Sequence, residues 1–225
     1  MNGDVLGWID ADGLSDLLAE VRRRLDDDPG HDLTHLLRVA RWTVRIGGTA
    51  VERREAIAAA LLHDVVNVPK DSPDRARASE LSANLARELL PLHGFTAEAT
   101  ERVAAAVRDH SYSRGAVPES ALGRALQDAD RLEAVGAIGI FRTVTCGARM
   151  GARYTHPDDP WARDRPLDDA RFTVDHFFEK LLGLGETMRT PAGRDEAARR
   201  IAFMRGFLEQ LGHELGEAPP AETRR

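Results

Sequence analysis

The chain has 225 residues, of which 42% are hydrophobic, 30% are charged and 5% are aromatic. This length is enough for one large domain or two small ones, and an apolar content carried mainly by Leu, Ala and Val favours helices over sheets. The net charge of −6 argues against a broad nucleic-acid-binding surface, and the single cysteine, Cys146, excludes an intramolecular disulfide.

The sequence contains no candidate for a membrane span or a leader. No run approaches the ~20 apolar residues that a transmembrane helix needs. The first residues, 1–4, lack the basic region and the apolar core of a signal peptide. A cytoplasmic location is therefore the default expectation.

Apolar residues recur at helical spacing along most of the chain, with no convincing strand pattern and no internal repeat. Asp32 and the pair Thr190-Pro191 are predicted helix starts, because their side chains suit the first turn. The run 134–148 is apolar or small at most positions and predicts a central buried helix. The predicted helices cover 12–27, 32–46, 52–64, 72–90, 96–109, a segment that opens near Pro118 and carries Asp130, 134–148, 168–184 and a last segment from Thr190, while 151–167 predicts a long loop.

The most informative stretch is the apolar run 58–62, which is followed directly by His63 and Asp64. An imidazole and a carboxylate at the end of a buried helix must be hydrogen-bonded, ion-paired or bound to a metal, because leaving them unsatisfied costs several kcal/mol. A divalent metal would use both groups. A buried His-Asp pair that only joins two helices is the alternative, and the doublet alone leaves both interpretations open.

Two other stretches offer partners for the doublet, His35 with Arg38-Val39 upstream and Asp130 within the run 129–132 downstream. The order His35, His63-Asp64, Asp130, with these neighbours, resembles the HD-domain superfamily of metal-dependent phosphohydrolases. The resemblance implies that the four side chains hold one divalent metal, of the group Mn, Mg, Co, Ni, Fe or Zn.

Further segments are similar to one compact bacterial subgroup of that superfamily. They are 67–73, 109–113, 136–142 and 175–182, so that the resemblance extends from about residue 30 to 215. It implies an all-α, single-domain HD-type helical bundle over residues 1–225, with a metal-site half at about 12–148 and C-terminal helices at about 168–215.

Four cations and one more histidine are candidates for handling the substrate. Lys70 follows the doublet in a proline-bounded polar loop and is the candidate for contacting substrate phosphate during catalysis; Arg75, Arg131 and Lys180 are weaker substrate-binding candidates. The resemblance places His110 facing the metal cavity, where it would bind phosphate or relay a proton. A structural role for His110 remains open. His31 is predicted to cap or pack, with a ligand role as the alternative.

The sequence departs from one branch of the superfamily. HD hydrolases of the guanosine tetraphosphate type carry a Glu-Asp pair three and four residues after the histidine of the doublet, where this chain has Val66 and Asn67. That substrate is therefore disfavoured, and the general acid is unassigned. Only His93 and His110 lie between the doublet and Asp130, which favours one metal over two.

These observations predict a metal-dependent phosphohydrolase of a small phosphorylated molecule. Only the resemblance indicates a nucleotide, because a fold does not identify a substrate. A non-catalytic nucleotide sensor and a di-iron oxygenase on the same scaffold are the alternatives. The expected partner is the small substrate, with no broad nucleic-acid binding, no membrane association and a homo-oligomer left open.

Overall fold

The computed structural model describes residues 3–25, 32–66, 77–111 and 115–220. The all-α prediction is confirmed, because these residues form helices and contain no strand beyond an isolated bridge between Arg153 and Phe172. Across the same residues, no helix is both long enough and apolar enough to cross a bilayer. The chain divides into two compact units, Met1–Asp130 and Arg131–Arg225, and the single domain over 1–225 stays a prediction.

The helices agree with most of the predicted segments. Thr190 caps the last helix through the amide of Gly193, as its sequence predicts. The bounds are α1 Gly3–Ala11, α2 Ser15–Arg22, α3 Leu33–Gly47, α4 Arg53–Leu62, α5 Ala78–Leu89, α6 Ala97–Asp109, α7 Ala121–Leu132, α8 Gly136–Arg149, α9 Asp175–Glu179 and α10 Pro191–Leu215, with 3₁₀ turns at Gly48–Ala50, Leu90–His93 and Leu181–Thr187.

In the first unit α4 is the central helix. All seven residues from Ala56 to Leu62 are fully buried, so the helix has no solvent-facing side over that length. A helix that is apolar all round must be surrounded by protein. The neighbours are α3 and α6, and α5 packs in turn against α6. The end of α4, which carries His63 and Asp64, is therefore held by packing on several sides.

The beginning of the first unit differs from the predicted single helix over 12–27. The structure has α1 over Gly3–Ala11 and a separate α2 from Ser15. The break falls at Gly13, whose φ of +67° lies in the left-handed region that glycine adopts at little cost. The apolar spacing from Leu14 onward is genuine, but it belongs to the second helix alone.

In the second unit α10 packs against α8 and against the turn Leu181–Thr187. A helix forms at 134–148 as predicted, since α8 lies there, but it is not buried as predicted, because Phe141 is 74% exposed. The predicted helix over 168–184 is reduced to α9 and the following 3₁₀ turn. The segment 151–167 contains no helix, as predicted, but Trp161 within it is buried and its indole N–H donates to the Glu217 carbonyl.

Candidate metal centre

Three segments of the first unit bring four metal-binding side chains together. His35 lies in the first turn of α3, His63 and Asp64 follow the last turn of α4, and Asp130 is on α7. One ligand atom from each lies within 4.8 Å of all the others. Both imidazoles are fully buried, whereas the side chains of Asp64 and Asp130 are 29% and 26% exposed. The site is thus closed on the histidine side and open on the carboxylate side.

The start of α3 fixes the position of His35. The Asp32 carboxylate accepts the His35 backbone N–H at 2.9 Å, so the predicted N-cap is confirmed. The hydroxyl of Thr34 donates to the same Asp32 oxygen. The helix therefore begins at a defined residue, and His35 lies in its first turn with its imidazole in the core.

The separations between the ligand atoms suit a single ion. Ligands about 2.1 Å from a common centre lie about 3.0 Å apart at right angles and about 4.2 Å apart when opposite. The two histidine Nε2 atoms are 3.2 Å apart. Their distances to the Asp64 and Asp130 carboxylates run from 3.5 to 4.0 Å. Two neutral nitrogens and two carboxylates are also a donor set that divalent transition metals bind.

Two histidines at the site share one mode of attachment. Nδ1 of His63 lies 2.7 Å from the Ala60 carbonyl, and Nδ1 of His110 lies 2.6 Å from the Val107 carbonyl. Because a carbonyl can only accept, each Nδ1 must carry the hydrogen, and Nε2 of each neutral ring is left as the acceptor. Metal-binding histidines are commonly fixed in this way.

His110 lies against the cluster without belonging to the four-residue set. Its Nε2 is 3.5 Å from the other oxygen of Asp64, and its ring packs edge-on against His63 with the centroids 4.9 Å apart. The side chain is only 4% exposed. Asp64 therefore faces the His35–His63 pair with one oxygen and His110 with the other.

Electrostatics couple the histidines to the carboxylates. Burial disfavours a charged His63, but the negative charges of Asp64 and Asp130 outweigh burial and raise the pKa of the imidazole to about 9. Burial would likewise raise the pKa of Asp130, but the hydrogen bond and the charge of His63 hold it well below its usual range. Without a metal, His63 therefore carries a hydrogen on both ring nitrogens at neutral pH and is positively charged.

A hydroxyl that the sequence did not single out holds the chain beyond the doublet. Ser82 of α5 is fully buried, and its hydroxyl accepts the backbone N–H of Val66 at 3.2 Å. Val66 comes two residues after Asp64, so this bond fixes the direction in which the chain leaves the site. A serine on a mostly apolar helix face is the only local signal, and it does not reveal a partner sixteen residues away.

The remaining predicted site residues lie either outside the described residues or in the second unit. Lys70, Arg75 and His31 lie outside the described residues. Lys180 is exposed at the end of α9. Arg131 is 7% exposed and donates to the Thr187 carbonyl at 2.5 Å, an environment that favours a packing role over phosphate binding. Asp128, two residues before Asp130, is fully buried.

Comparisons with known proteins agree with this site. Residues 32–135, which span all four ligands, match the family model described as HD domain. The chain is 34% identical over 200 residues to the uncharacterized protein YpgQ of Bacillus subtilis. The aligned region covers 84% of this chain and 87% of that protein.

Solved structures are similar over most of the chain. The crystal structure of Bacillus subtilis YpgQ in complex with ADP matches with a TM-score of 0.67 at 30% identity, covering 88% of this chain and 97% of that one. An HD-superfamily hydrolase from Bacillus thuringiensis matches with a TM-score of 0.67 at 29% identity, covering 94% and 98%. The fold, the order of the ligands and these relatives lead to one conclusion: the chain belongs to the HD domain family.

Proposed function

We propose that this protein is a metal-dependent phosphohydrolase that uses one divalent ion to hydrolyse a small phosphorylated metabolite, with a nucleotide as the substrate class. The observation that carries the proposal is the convergence of His35, His63, Asp64 and Asp130, with ligand atoms within 4.8 Å of one another. A bound divalent ion supplies charge neutralisation at phosphate and lowers the pKa of a coordinated water.

The protein contributes a fixed and partly open set of ligands. The carbonyl of Ala60 holds the His63 ring, and the N-cap of α3 holds the backbone of His35. Asp64 and Asp130 form the exposed side of the cluster. A phosphate would therefore approach from the carboxylate side, where its negative charge requires the compensation that a bound ion provides.

His110 is the proposed catalytic residue. Its Nε2 lies on the Asp64 side of the site, and its Nδ1–H is already bound to Val107, so only Nε2 is available to a substrate. A protonated ring would donate from this atom to a phosphate oxygen or to the leaving group. Lys70 remains the proposed phosphate contact and catalytic partner, with Arg75, Lys180 and Arg131 as further substrate-binding candidates.

The nucleotide class is supported by the relative YpgQ, whose crystal structure contains ADP. The chain covers 97% of that structure, so its ligand comes from a protein of nearly the same extent. ADP offers adjacent phosphates, which suit a divalent metal. Val66 at the position where the guanosine tetraphosphate type has a carboxylate keeps that nucleotide disfavoured.

The metal assignment is tested by elemental analysis of purified protein and of the variants His63→Ala and Asp130→Ala. We expect one equivalent of a divalent metal in the wild type and a large loss in both variants. His213 is an exposed histidine on α10, so His213→Ala is the matched control and should keep its metal. Unchanged metal content in both site variants would refute the ligand set.

The reaction is tested by measuring phosphate and pyrophosphate release from a nucleotide panel with Mn, Mg, Co, Ni, Fe and Zn supplied separately. Release that depends on metal and disappears in His63→Ala supports the proposal. Nucleotide binding without release would favour the non-catalytic sensor. Two irons per chain with oxygen-dependent turnover would favour the oxygenase.

A further inference from the structure

The first unit buries an amide side chain that is not part of the ligand set. Gln127 lies on α7, three residues before Asp130, and is fully buried. Its Nε2 donates to the carbonyl of Asp109 at 3.0 Å and to the carbonyl of Ala116 at 3.0 Å. Because a buried amide costs free energy unless its groups are hydrogen-bonded, these two bonds determine where the side chain can lie.

The chemistry of the acceptors fixes which way the amide faces. A carbonyl oxygen can only accept, so the nitrogen of Gln127, and not its oxygen, must face Asp109 and Ala116. One of these acceptors directly precedes His110 in the chain, and the other follows it. A single nitrogen therefore holds the backbone on both sides of the proposed catalytic histidine.

The bond to Asp109 completes the end of α6. The last carbonyls of a helix have no partner within the helix and must find one elsewhere. In α6, Nδ1 of His110 binds the Val107 carbonyl at 2.6 Å, and Gln127 binds the Asp109 carbonyl. The first bond sets the orientation of the His110 ring, and the second sets the position of the backbone from which that ring extends.

The helix that carries Gln127 also carries a metal ligand. Residues three apart lie on the same side of a helix, so Gln127 and Asp130 are neighbours on α7. The His110 ring packs edge-on against His63, and its Nε2 is 3.5 Å from Asp64. Gln127 thus connects the histidine to the helix of the fourth ligand. A displacement of the ring by about 1 Å can cost about 10²-fold in rate.

We propose that Gln127 is a positioning residue, which holds the Nε2 atom of His110 in register with the metal centre by fixing the end of α6 to α7. The inference rests on the proposed function, in which His110 is the catalytic residue. Gln127 itself contacts neither the ligand atoms nor the substrate and acts through His110 alone. A glutamine that merely stabilises the fold would affect turnover independently of His110, and this difference can be measured.

A double-mutant cycle tests whether Gln127 acts through His110. Gln127→Met keeps the length of the side chain and removes its donors, so we expect kcat to fall by about 10- to 100-fold with KM and metal content little changed. In a His110→Ala background the same substitution should lower kcat by less than about 3-fold. Gln127→Asn, which keeps an amide on a shorter side chain, should have a smaller effect. Effects that multiply in the double variant would overturn the proposal.

Val103→Ala is the control for lost stability. Val103 is fully buried on α6, and its truncation removes packing without breaking a hydrogen bond at the helix end. We expect a lower melting temperature and a kcat within about 2-fold of the wild type. A fall in kcat as large as that of Gln127→Met would mean that destabilisation of α6 suffices, and would also overturn the proposal.

Nitrogen NMR of the histidine rings gives a readout that needs no activity. In Zn-loaded protein at mildly alkaline pH, we expect the His110 signals, identified by their loss in His110→Ala, to show one tautomer with the hydrogen on Nδ1. In Gln127→Met they should move towards the average of both tautomers. Unchanged ring signals would refute the positioning role. A wild type that releases no phosphate, with ring signals that still depend on Gln127, would refute the proposed function and support the positioning role.

Discussion

At the scale of single residues, His63 combines two features that normally oppose each other: it is fully buried, and its pKa is raised to about 9. The carboxylates of Asp64 and Asp130 provide the compensating charge. A metal ion needs the same Nε2 lone pair that the proton occupies. Metal and proton therefore compete for one atom, which has a measurable consequence.

Metal binding near neutral pH should release about one proton. The apparent affinity should rise with pH up to about 9, where the His63 imidazole of the metal-free protein becomes neutral. Titration calorimetry with Mn in two buffers of different ionisation enthalpy measures the released protons directly. Release of no protons at pH 7 would mean that His63 is already neutral there.

The same pKa predicts how the metal-free fold depends on pH. A raised folded-state pKa stabilises the protein fully below the unfolded value of 6.5, and the stabilisation is lost as pH rises through about 9. Protein whose metal has been removed with a chelator should therefore lose thermal stability as the pH rises from 6.5 to about 9. Asp130→Asn removes one of the two compensating charges and should reduce the pH dependence. A flat melting temperature across the interval would contradict the assignment.

His110 should affect the rate and not the metal. General acid–base help is typically worth about 10²–10⁴-fold, so His110→Ala should lower turnover within that range while the metal content stays at one. Loss of the ion together with the histidine would make His110 a ligand. If both rate and metal are unchanged, the ring, which is bound to Val107, is structural.

At the scale of elements, α5 carries two buried serines that differ in their hydrogen bonding, so one is a matched control for the other. Ser82 and Ser79 are buried on the same helix, but Ser82 accepts the Val66 N–H, while the Ser79 hydroxyl has no partner in the described structure. Ser82→Ala should weaken Mn affinity by about 10-fold, because it frees the chain that follows Asp64. Turnover at saturating metal should change little.

Ser79→Ala removes the same atoms from a similar environment without breaking a hydrogen bond. We expect its metal affinity to match the wild type and its stability to be equal or higher. Ser82→Thr keeps a hydroxyl and should restore part of the affinity. Equal affinities for the two alanine variants would show that Ser82 only packs.

How far the sequence predicts each helix depends on where the determining interaction lies. The caps at Asp32 and Thr190 are local, within three residues, and both were predicted correctly. The ligand set was predicted from its order and the resemblance it carries. The burial of α8 was predicted wrongly, because an apolar helix that faces solvent in one chain has the same composition as a core helix. Ser82 was missed because its partner is distant in sequence.

At the scale of the whole molecule, the second unit depends on one nearly buried ion pair. Arg165 donates to both oxygens of Asp175, at 2.5 and 2.9 Å, and the Asp168 N–H donates to one of them at 2.8 Å. The side chain of Asp175 is 1% exposed and that of Arg165 is 15% exposed. The pair joins the long loop to the start of α9.

Asp175→Asn should therefore destabilise the protein. Breaking a buried pair costs about 3–5 kcal/mol, and asparagine keeps one acceptor oxygen, so we expect the lower part of that range. Differential scanning calorimetry should show a fall in melting temperature of roughly 6–12 °C for a chain of this size. Asp169→Asn alters a partly exposed pair with His176 and should change stability by less than about 1 kcal/mol. Similar falls in melting temperature in both variants would mean that the burial of Asp175 does not increase the contribution of its ion pair to stability.

The four ligands also make the site a junction between distant parts of the chain. His35 and His63 are 28 residues apart, and Asp130 comes from a third segment. An ion held by all of them would close two chain loops at once, in the manner of a covalent cross-link, and would remove conformational entropy from the unfolded chain. Loss of the ion would then increase the frequency of local opening in α3 and α7. Hydrogen exchange at those helices should accelerate on chelation, while the buried centre of α4 stays protected.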